Sequence, residues 1–179
     1  MASAIIILAD GFEEIEAVTC IDILRRANVN VNVLGLNGLE VRGSRGIRVR
    51  TDLMFSDYKD LFDAIVLPGG MPGAGNLAES QPLLKLIRDA YEDGKICAAI
   101  CAAPVVLAKA GILTGKKVTC YPGFEDRLTG AEFVTDSVVT DGNIITSRAV
   151  GTAIPFALKL VETLTGEETA KKISSAILY

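Results

Sequence analysis

The sequence predicts an α/β fold in which a mostly parallel sheet is covered by helices on both faces. Three observations support this prediction. Short apolar runs recur along the chain, segments with helical spacing separate them, and several runs end at glycine or proline. Half of the 179 residues are hydrophobic, and no linker or repeat divides the chain, so we expect a single domain over residues 1–179.

The N-terminal part predicts a strand, a helix and a second strand. Ala4–Leu8 is a β-branched run, and Val29–Leu36 alternates valine with asparagine before it ends in apolar residues. The apolar residues between these runs recur at helical spacing: Ile15, Val18, Ile21 and Leu24. Arg25 and Arg26 then complement the dipole at the end of the helix. The result is a βαβ unit.

The remaining elements follow in chain order. Val41–Val49 contains two glycines and predicts a small hairpin outside the main sheet. The later predicted strands are Asp63–Leu67, Ile96–Ile100, Val118–Cys120 and Ile144–Ser147, the last after a hairpin turn around Asp141-Gly142. The later predicted helices are Gln81–Asp93, Ala102–Lys109, Thr152–Thr165 and Gly166–Ser175.

Three loops are expected to meet at the carboxyl edge of the sheet, where open α/β folds bind ligands. They are the segments Asp10–Glu16 and Pro68–Asn76 and the turn that holds Cys101. A carboxylate, a set of glycine amides and a thiol would meet there. The chain has no histidine, so the commonest activating base is missing. Chemistry at the thiol must therefore depend on a carboxylate, on backbone amides or on a helix terminus.

Each of these features also has a structural interpretation. Glu13, Glu14 and Glu16 fit the N-terminus of a helix because they complement its dipole. The glycine loop fits a flexible connection, and Cys101 fits a buried core thiol. Cys20 and Cys97 are predicted to be small buried hydrophobic residues.

Composition limits the partners and the compartment. The net charge of −4 gives no electrostatic reason to expect a nucleic acid or an anionic membrane as partner. The longest apolar run, Ile96–Ala108, is shorter than the roughly 20 residues of a spanning helix. No signal segment precedes the first strand, and the four cysteines lack disulfide-framework spacing, so we expect reduced thiols and a cytoplasmic location. No metal or other cofactor is expected.

Four motifs occur in register from the first strand to the last helix. They are Glu13–Val18, Leu67–Gly70, Ala98–Pro104 and Thr146–Arg148. Together they resemble the ThiJ/PfpI superfamily, and within it the branch of the Parkinson-linked human protein (DJ-one) and bacterial YajL. The resemblance implies a flavodoxin-like three-layer α/β sandwich whose cysteine lies in a strained nucleophile elbow.

The resemblance also assigns residues by position. Cys101 matches the family nucleophile, and Glu16 matches the carboxylic acid that hydrogen-bonds it. Gly70 and Ala102 match the backbone donors of an oxyanion or anion pocket. The further pocket candidates are Gly69, Arg45, Tyr121 and Arg148. A homodimer through the first helix, Ile15–Arg26, is implied as well.

Two departures from the family pattern affect the pocket. Tyr121 stands where many relatives place a histidine, so a protease-like triad is not assembled. Ala149–Thr152 replaces a Gly-Pro-Gly-Thr segment and changes the pocket wall. Cys120, beside Tyr121, is a candidate resolving thiol for Cys101.

The expected function is cysteine-dependent, glutathione-independent processing of reactive carbonyls in stress protection. Methylglyoxal, glyoxal or their early adducts would be the substrates of this glyoxalase or deglycase. We expect Cys101 to be acidified by the helix terminus and by a protonated Glu16. One alternative is a redox-sensing chaperone or oxidative-stress protein that works through oxidation of Cys101. A weaker alternative is an intracellular peptidase.

Overall fold

The structure, a computed structural model, describes residues 1–179. The strands are β1 (Ser3–Leu8), β2 (Asn30–Gly35), β3 (Glu40–Arg42), β4 (Arg48–Arg50), β5 (Leu53–Met54), β6 (Ala64–Leu67), β7 (Ile96–Ile100), β8 (Lys117–Val118), β9 (Glu132–Phe133), β10 (Val138–Asp141) and β11 (Ile144–Ser147). The helices are α1 (Glu14–Arg26), α2 (Gly73–Glu79), α3 (Gln81–Glu92), α4 (Pro104–Lys109), α5 (Ala153–Thr165) and α6 (Glu167–Ala176). None of the helices is both long and apolar enough to cross a membrane.

Seven strands form the central sheet in the order β10-β11-β7-β6-β1-β2-β5. All neighbouring pairs are parallel except β10 and β11, which form an antiparallel hairpin. Strands β1 and β6 are neighbours in the sheet. The chain continues from β1 to β2 on one side of this pair, and from β6 to β7 on the other side. The loops after β1 and β6 therefore border the crevice where such sheets bind ligands.

Two apolar clusters cover the two faces of this sheet. Alternate residues of β1 enter different clusters, because successive side chains of a strand point to opposite faces. Ile6 packs with residues of α1, α5 and α6, whereas Ile7 packs with residues of α2, α3 and α4. Burial on both faces explains why β1, β6 and β7 are apolar without alternation. The flavodoxin-like three-layer α/β prediction is confirmed.

Most predicted elements are present, including the hairpin of β3 and β4 outside the main sheet. Three predictions need correction. The second loop is shorter than predicted, because α2 begins at Gly73. Helix α4 begins at Pro104 and not at Ala102, because Cys101 adopts a left-handed conformation and a turn precedes the helix. Strand β8 ends at Val118 and pairs with β9, a strand that the sequence did not predict, in a separate small sheet.

Candidate active site

Cys101 lies in a tight turn between β7 and α4. Its φ of +64° is in the left-handed region, which costs a non-glycine residue roughly 1 kcal/mol. Two backbone hydrogen bonds hold this conformation: the Cys101 amide donates to the Ser147 carbonyl at 3.0 Å, and the Cys101 carbonyl accepts from the Tyr121 amide at 2.8 Å. This strand–turn–helix geometry is that of a nucleophile elbow.

Glu16 lies in the first turn of α1, and its side chain is completely buried. Its Oε2 accepts a 2.8 Å hydrogen bond from the Gly69 amide. Its Oε1 has no well-aligned partner, although the carboxyl group interacts with the Cys101 thiol. Burial raises the pKa of Glu16 to about 7, and the charge of Glu13 acts in the same direction. At neutral pH the protonated and ionised forms of this carboxyl group are therefore both populated.

Gly69 separates the acid from the thiol and leaves no space for a side chain. A Cβ at this position would lie 2.6 Å from the Cβ of Cys101 and 2.8 Å from Oε2 of Glu16. The next residue, Gly70, has a φ of +86° and packs against the backbone of Gly11 and Glu13. Two consecutive glycines thus let the β6 loop approach both Cys101 and the start of α1.

The amides of Gly70 and Ala102 act on the Cys101 thiol and lower its pKa. Burial outweighs them and raises the pKa of the thiol to about 12, and the negative charge of Glu16 adds to the rise. The prediction of an acidified thiol is therefore wrong. The sulfur is largely withdrawn from water, α4 begins three residues later, and the nearest ionisable neighbour is an acid.

The protonation state of Glu16 affects the pKa of Cys101. When Glu16 is protonated its charge disappears, and one cause of the raised thiol pKa disappears with it. When Glu16 is ionised it is a base placed to receive the thiol proton. Glu16 and Cys101 therefore titrate as a pair.

Arg45 lies in the turn between β3 and β4, with its side chain exposed. The turn borders a cavity of about 410 Å³ together with the β1 loop and the start of the β6 loop. Met71 and Pro72 are in this cavity wall, directly after Gly70. Arg45 therefore lines a cavity between the β3–β4 turn and the loops after β1 and β6.

Tyr121 donates its amide to the Cys101 carbonyl, and Arg148 directly follows Ser147, whose carbonyl accepts from the Cys101 amide. The Tyr121 side chain is 46% exposed and meets the ring of Phe124 edge to face. The Arg148 guanidinium donates to the Thr135 carbonyl, and its charge lowers the pKa of Cys120. Tyr121 thus contacts Cys101 through its backbone amide, and Arg148 lies within electrostatic range of Cys120.

The other cysteines are fully buried, as predicted for Cys20 and Cys97. Cys120 belongs to the apolar cluster that contains Ile7, whereas Cys101 packs against the cluster on the opposite face. The two side chains therefore pack with apolar clusters on opposite faces of the sheet. No group of three or more Cys, Asp or Glu side chains is arranged to hold a metal ion.

Two features of the site were missed at the sequence level. The steric role of Gly69 was not recognised, although its place directly after a strand and a proline is a signal for close backbone approach. Glu14 was assigned to the helix dipole, but its carboxylate accepts hydrogen bonds from the β3–β4 turn.

Comparison with known proteins agrees with this geometry. Residues 2–163 match the DJ-1/PfpI family. The chain is 44% identical to the Drosophila melanogaster protein dj-1beta, over 98% of this chain and 96% of that protein. The crystal structure of Drosophila DJ-1beta superimposes with a TM-score of 0.96 and covers 99% of this chain and 97% of its own.

Two further relatives have informative names. A Caenorhabditis elegans protein named glutathione-independent glyoxalase DJR-1.2 is 38% identical over 96% of this chain and 93% of its own length. The structure of oxidized Toxoplasma gondii DJ-1 is 40% identical, with a TM-score of 0.96, and covers 100% of this chain and 99% of its own. With a nucleophile elbow, a buried glutamate and matches along nearly its whole length, the chain belongs to the DJ-1/PfpI family.

Proposed function

We propose that this protein is a cysteine-dependent, glutathione-independent glyoxalase or deglycase that acts on methylglyoxal, glyoxal or their early adducts. One observation carries the proposal: a buried carboxyl group with a pKa of about 7 interacts with the thiol of a nucleophile elbow, and the amides of Gly70 and Ala102 act on the same thiol. A proton acceptor, a nucleophile and oxyanion donors are the three parts that addition to a carbonyl requires. The name of the C. elegans relative supports this choice of substrate.

The first step is addition of Cys101 to the aldehyde carbon of methylglyoxal. The ionised Glu16 accepts the thiol proton as the carbon–sulfur bond forms, which avoids a free thiolate in the buried pocket. The amides of Gly70 and Ala102 would donate to the aldehyde oxygen as it gains charge. Such a donor contributes roughly 3 to 4 kcal/mol to stabilisation of the transition state. Glu16 then gives the thiol proton to the alkoxide oxygen, which forms a hemithioacetal and returns Glu16 to its ionised form.

The second step is a proton transfer between the two carbons of the bound substrate. Glu16 removes the hydrogen from the former aldehyde carbon and delivers a proton to the former ketone carbon. The first carbon is thereby oxidised to a thioester and the second is reduced to an alcohol. Water then cleaves the thioester, which releases lactate and restores the Cys101 thiol. Overall, methylglyoxal and one water give lactic acid, and Cys101 supplies the sulfur that glutathione supplies elsewhere.

A redox function is the second candidate. A sulfinate formed on Cys101 would accept hydrogen bonds from the Gly70 and Ala102 amides and from a protonated Glu16. The solved structure of an oxidized T. gondii relative supports this alternative. In this case the protein acts as a redox-responsive chaperone or stress protein. The peptidase alternative is set aside because the chain contains no histidine to activate Cys101.

We also propose a homodimer through α1. Ile15 is 54% exposed and Val18 is 49% exposed, which is unusual for two apolar residues on one helix. Val18 borders a groove that also contains Ile154 and Ile177 from the C-terminal part of the chain. A second copy of the chain would cover this surface. A cytoplasmic location is proposed as well, because four unpaired cysteines suit a reducing compartment.

The deciding experiment is D-lactate production from methylglyoxal without glutathione. Wild type, Cys101→Ser and the control Cys97→Ala are compared, since Cys97 is a buried thiol outside the pocket. Lactate formation by wild type and the control, but not by Cys101→Ser, supports the glyoxalase. Equal lactate from all three proteins, or none from any, contradicts it. Mass spectrometry of Cys101 after mild peroxide treatment then tests the redox alternative.

A further inference from the structure

Thr146 and Ser147 are consecutive residues at the end of β11, and both side chains are completely buried although both are polar. The proposed mechanism uses neither hydroxyl group. A buried hydroxyl without a hydrogen bond destabilises the folded state, so such groups normally have defined partners. Successive side chains of a strand point to opposite faces of the sheet. The two hydroxyls therefore contact different segments of the chain.

The Thr146 hydroxyl holds the segment that follows β8. Its Oγ1 accepts a 2.9 Å hydrogen bond from the Thr119 amide in the buried part of the protein. The Tyr121 amide, two residues further along, donates to the Cys101 carbonyl at 2.8 Å. Only Cys120 separates the two anchored residues. A displacement of Thr119 would therefore also displace the amide that binds the Cys101 carbonyl.

The Ser147 hydroxyl holds the opposite side of the same turn. It donates to the Ser137 carbonyl at 2.7 Å and lies 2.7 Å from the Thr152 hydroxyl. The Thr152 oxygen in turn accepts from the Ala149 amide at 3.0 Å. The backbone carbonyl of Ser147 accepts the Cys101 amide at 3.0 Å. The hydroxyl thus fixes the residue whose carbonyl binds the Cys101 amide.

Both sets of contacts act on a strained residue. Cys101 has a φ of +64°, which a residue other than glycine retains only where the surrounding structure imposes it. Each of its two backbone hydrogen bonds depends on one hydroxyl, the carbonyl side on Thr146 and the amide side on Ser147. Without these hydroxyls the turn can relax, and the sulfur then moves relative to Glu16.

We propose that Thr146 and Ser147 are positioning residues whose hydroxyl groups keep Cys101 in its left-handed conformation and so hold its sulfur beside Glu16. Neither hydroxyl touches the reacting atoms. Their effect on catalysis rests on the proposed role of Cys101 as the nucleophile, whereas their effect on its conformation does not.

The test measures the strain at position 101 with and without each hydroxyl. In the otherwise wild-type chain, Cys101→Gly should have an unfolding equilibrium constant about fivefold smaller than Cys101→Ala, because glycine tolerates this φ. We expect the added change Thr146→Val to reduce this ratio to less than about twofold, since the relaxed turn no longer favours glycine. Ser147→Ala should reduce it similarly. A purely structural loss would destabilise both Cys101 variants equally and leave the ratio unchanged.

Thr51→Val is the matched control. Thr51 is also buried, and its hydroxyl donates to the Leu39 carbonyl at 3.0 Å in the segment between β4 and β5. This change should lower stability but keep the fivefold ratio, and Thr146→Ser, which retains the hydroxyl, should keep it too. An unchanged ratio in Thr146→Val or Ser147→Ala overturns the inference, as does an equal fall in Thr51→Val. If Thr146→Val does not fold, Ser147→Ala decides alone, because Ser147 contacts other segments.

Activity measurements separate this inference from the proposed function. With Cys101 present, Thr146→Val is expected to lower kcat for methylglyoxal about 10- to 100-fold and to leave KM within about twofold, because the nucleophile is displaced. Thr146→Ser should restore kcat. If wild type forms no lactate but the unfolding ratios change as described, the glyoxalase fails and the positioning role stands. If lactate forms but the ratios do not change, the positioning role fails and the glyoxalase stands.

Discussion

The Gly69 amide donates a 2.8 Å hydrogen bond to Oε2 of Glu16, within the buried part of the protein. The two residues are 53 positions apart in the chain, and the bond joins the loop after β6 to the first turn of α1. It leaves Oε1 without a well-aligned partner. The orientation of the acid toward Cys101 therefore depends on a backbone group of a different element.

Gly69→Ala should disable the site. The added methyl group would lie 2.6 Å from the Cβ of Cys101 and must displace either the thiol or the acid. A displacement of about 1 Å costs about a hundredfold in rate, and we expect a loss of that order in D-lactate formation. Gly75→Ala is the control, because its Cβ meets Met71 at an ordinary 3.6 Å within α2. Similar activity in both variants would contradict the steric argument.

Glu16→Gln should remove the proton acceptor with little change in shape. We expect kcat for methylglyoxal to fall by about 10²- to 10⁴-fold. In wild type, kcat/KM should rise with pH through about 7 as Glu16 ionises. The groups that act on this titration are the Gly69 amide, the Cys101 thiol and the charge of Glu13, and Cys20 lies within range of the Glu16 charge. Persistence of the same pH step in Glu16→Gln would assign it to another group.

Glu16 should also make folding stability depend on pH. Its ordinary pKa of 4.5 applies to the unfolded chain, and its folded pKa is about 7. Between these values the folded chain binds more protons, so the free energy of unfolding falls as pH rises and becomes constant above about 7. The linkage amounts to about 3 kcal/mol. Urea unfolding should show Glu16→Gln to be more stable than wild type at pH 8 by up to that amount, and equal at low pH. The exposed Glu92→Gln should follow wild type throughout.

The left-handed conformation of Cys101 should be measurable as strain. Glycine adopts a φ of +64° without steric penalty, whereas alanine does not. Cys101→Gly should therefore be more stable than Cys101→Ala by about 1 kcal/mol, as measured by chemical denaturation. Cys97→Gly and Cys97→Ala, within strand β7, are the controls. Here the alanine variant should be the more stable one. Greater stability of Cys101→Ala would show that the surrounding structure adapts.

The proposed dimer predicts that a charge introduced on α1 weakens dimerisation. Val18→Glu places a carboxylate on the exposed apolar face of the helix and should shift the protein to monomer in sedimentation velocity. Leu61→Glu is the matched control, since Leu61 is 89% exposed and distant from α1 in sequence. A wild-type protein that sediments as a monomer would rule out the dimer, as would a Val18→Glu dimer of unchanged stability.

The spacing of apolar residues predicted most of the strands and helices, because burial of an element determines which of its own residues are apolar. Each central strand is buried on both faces and reads as a continuous apolar run, as Ala64–Leu67 illustrates. Short elements were harder to predict. Helix α2 begins in a glycine-rich segment that resembles a loop, and β8 is held by pairing with β9 rather than by its own residues. Such elements depend on neighbours that are distant in sequence.

The sequence by itself determined the fold class and placed Cys101 and Glu16 in loops that converge at one edge of the sheet. It also determined that no histidine serves the thiol. The tertiary structure decided the protonation chemistry, because pKa values depend on burial and on neighbouring charges. A helix terminus predicted an acidic Cys101, whereas enclosure beside Glu16 raises the thiol pKa. The structure also gave Glu14 its contacts with the β3–β4 turn, which no local pattern encodes.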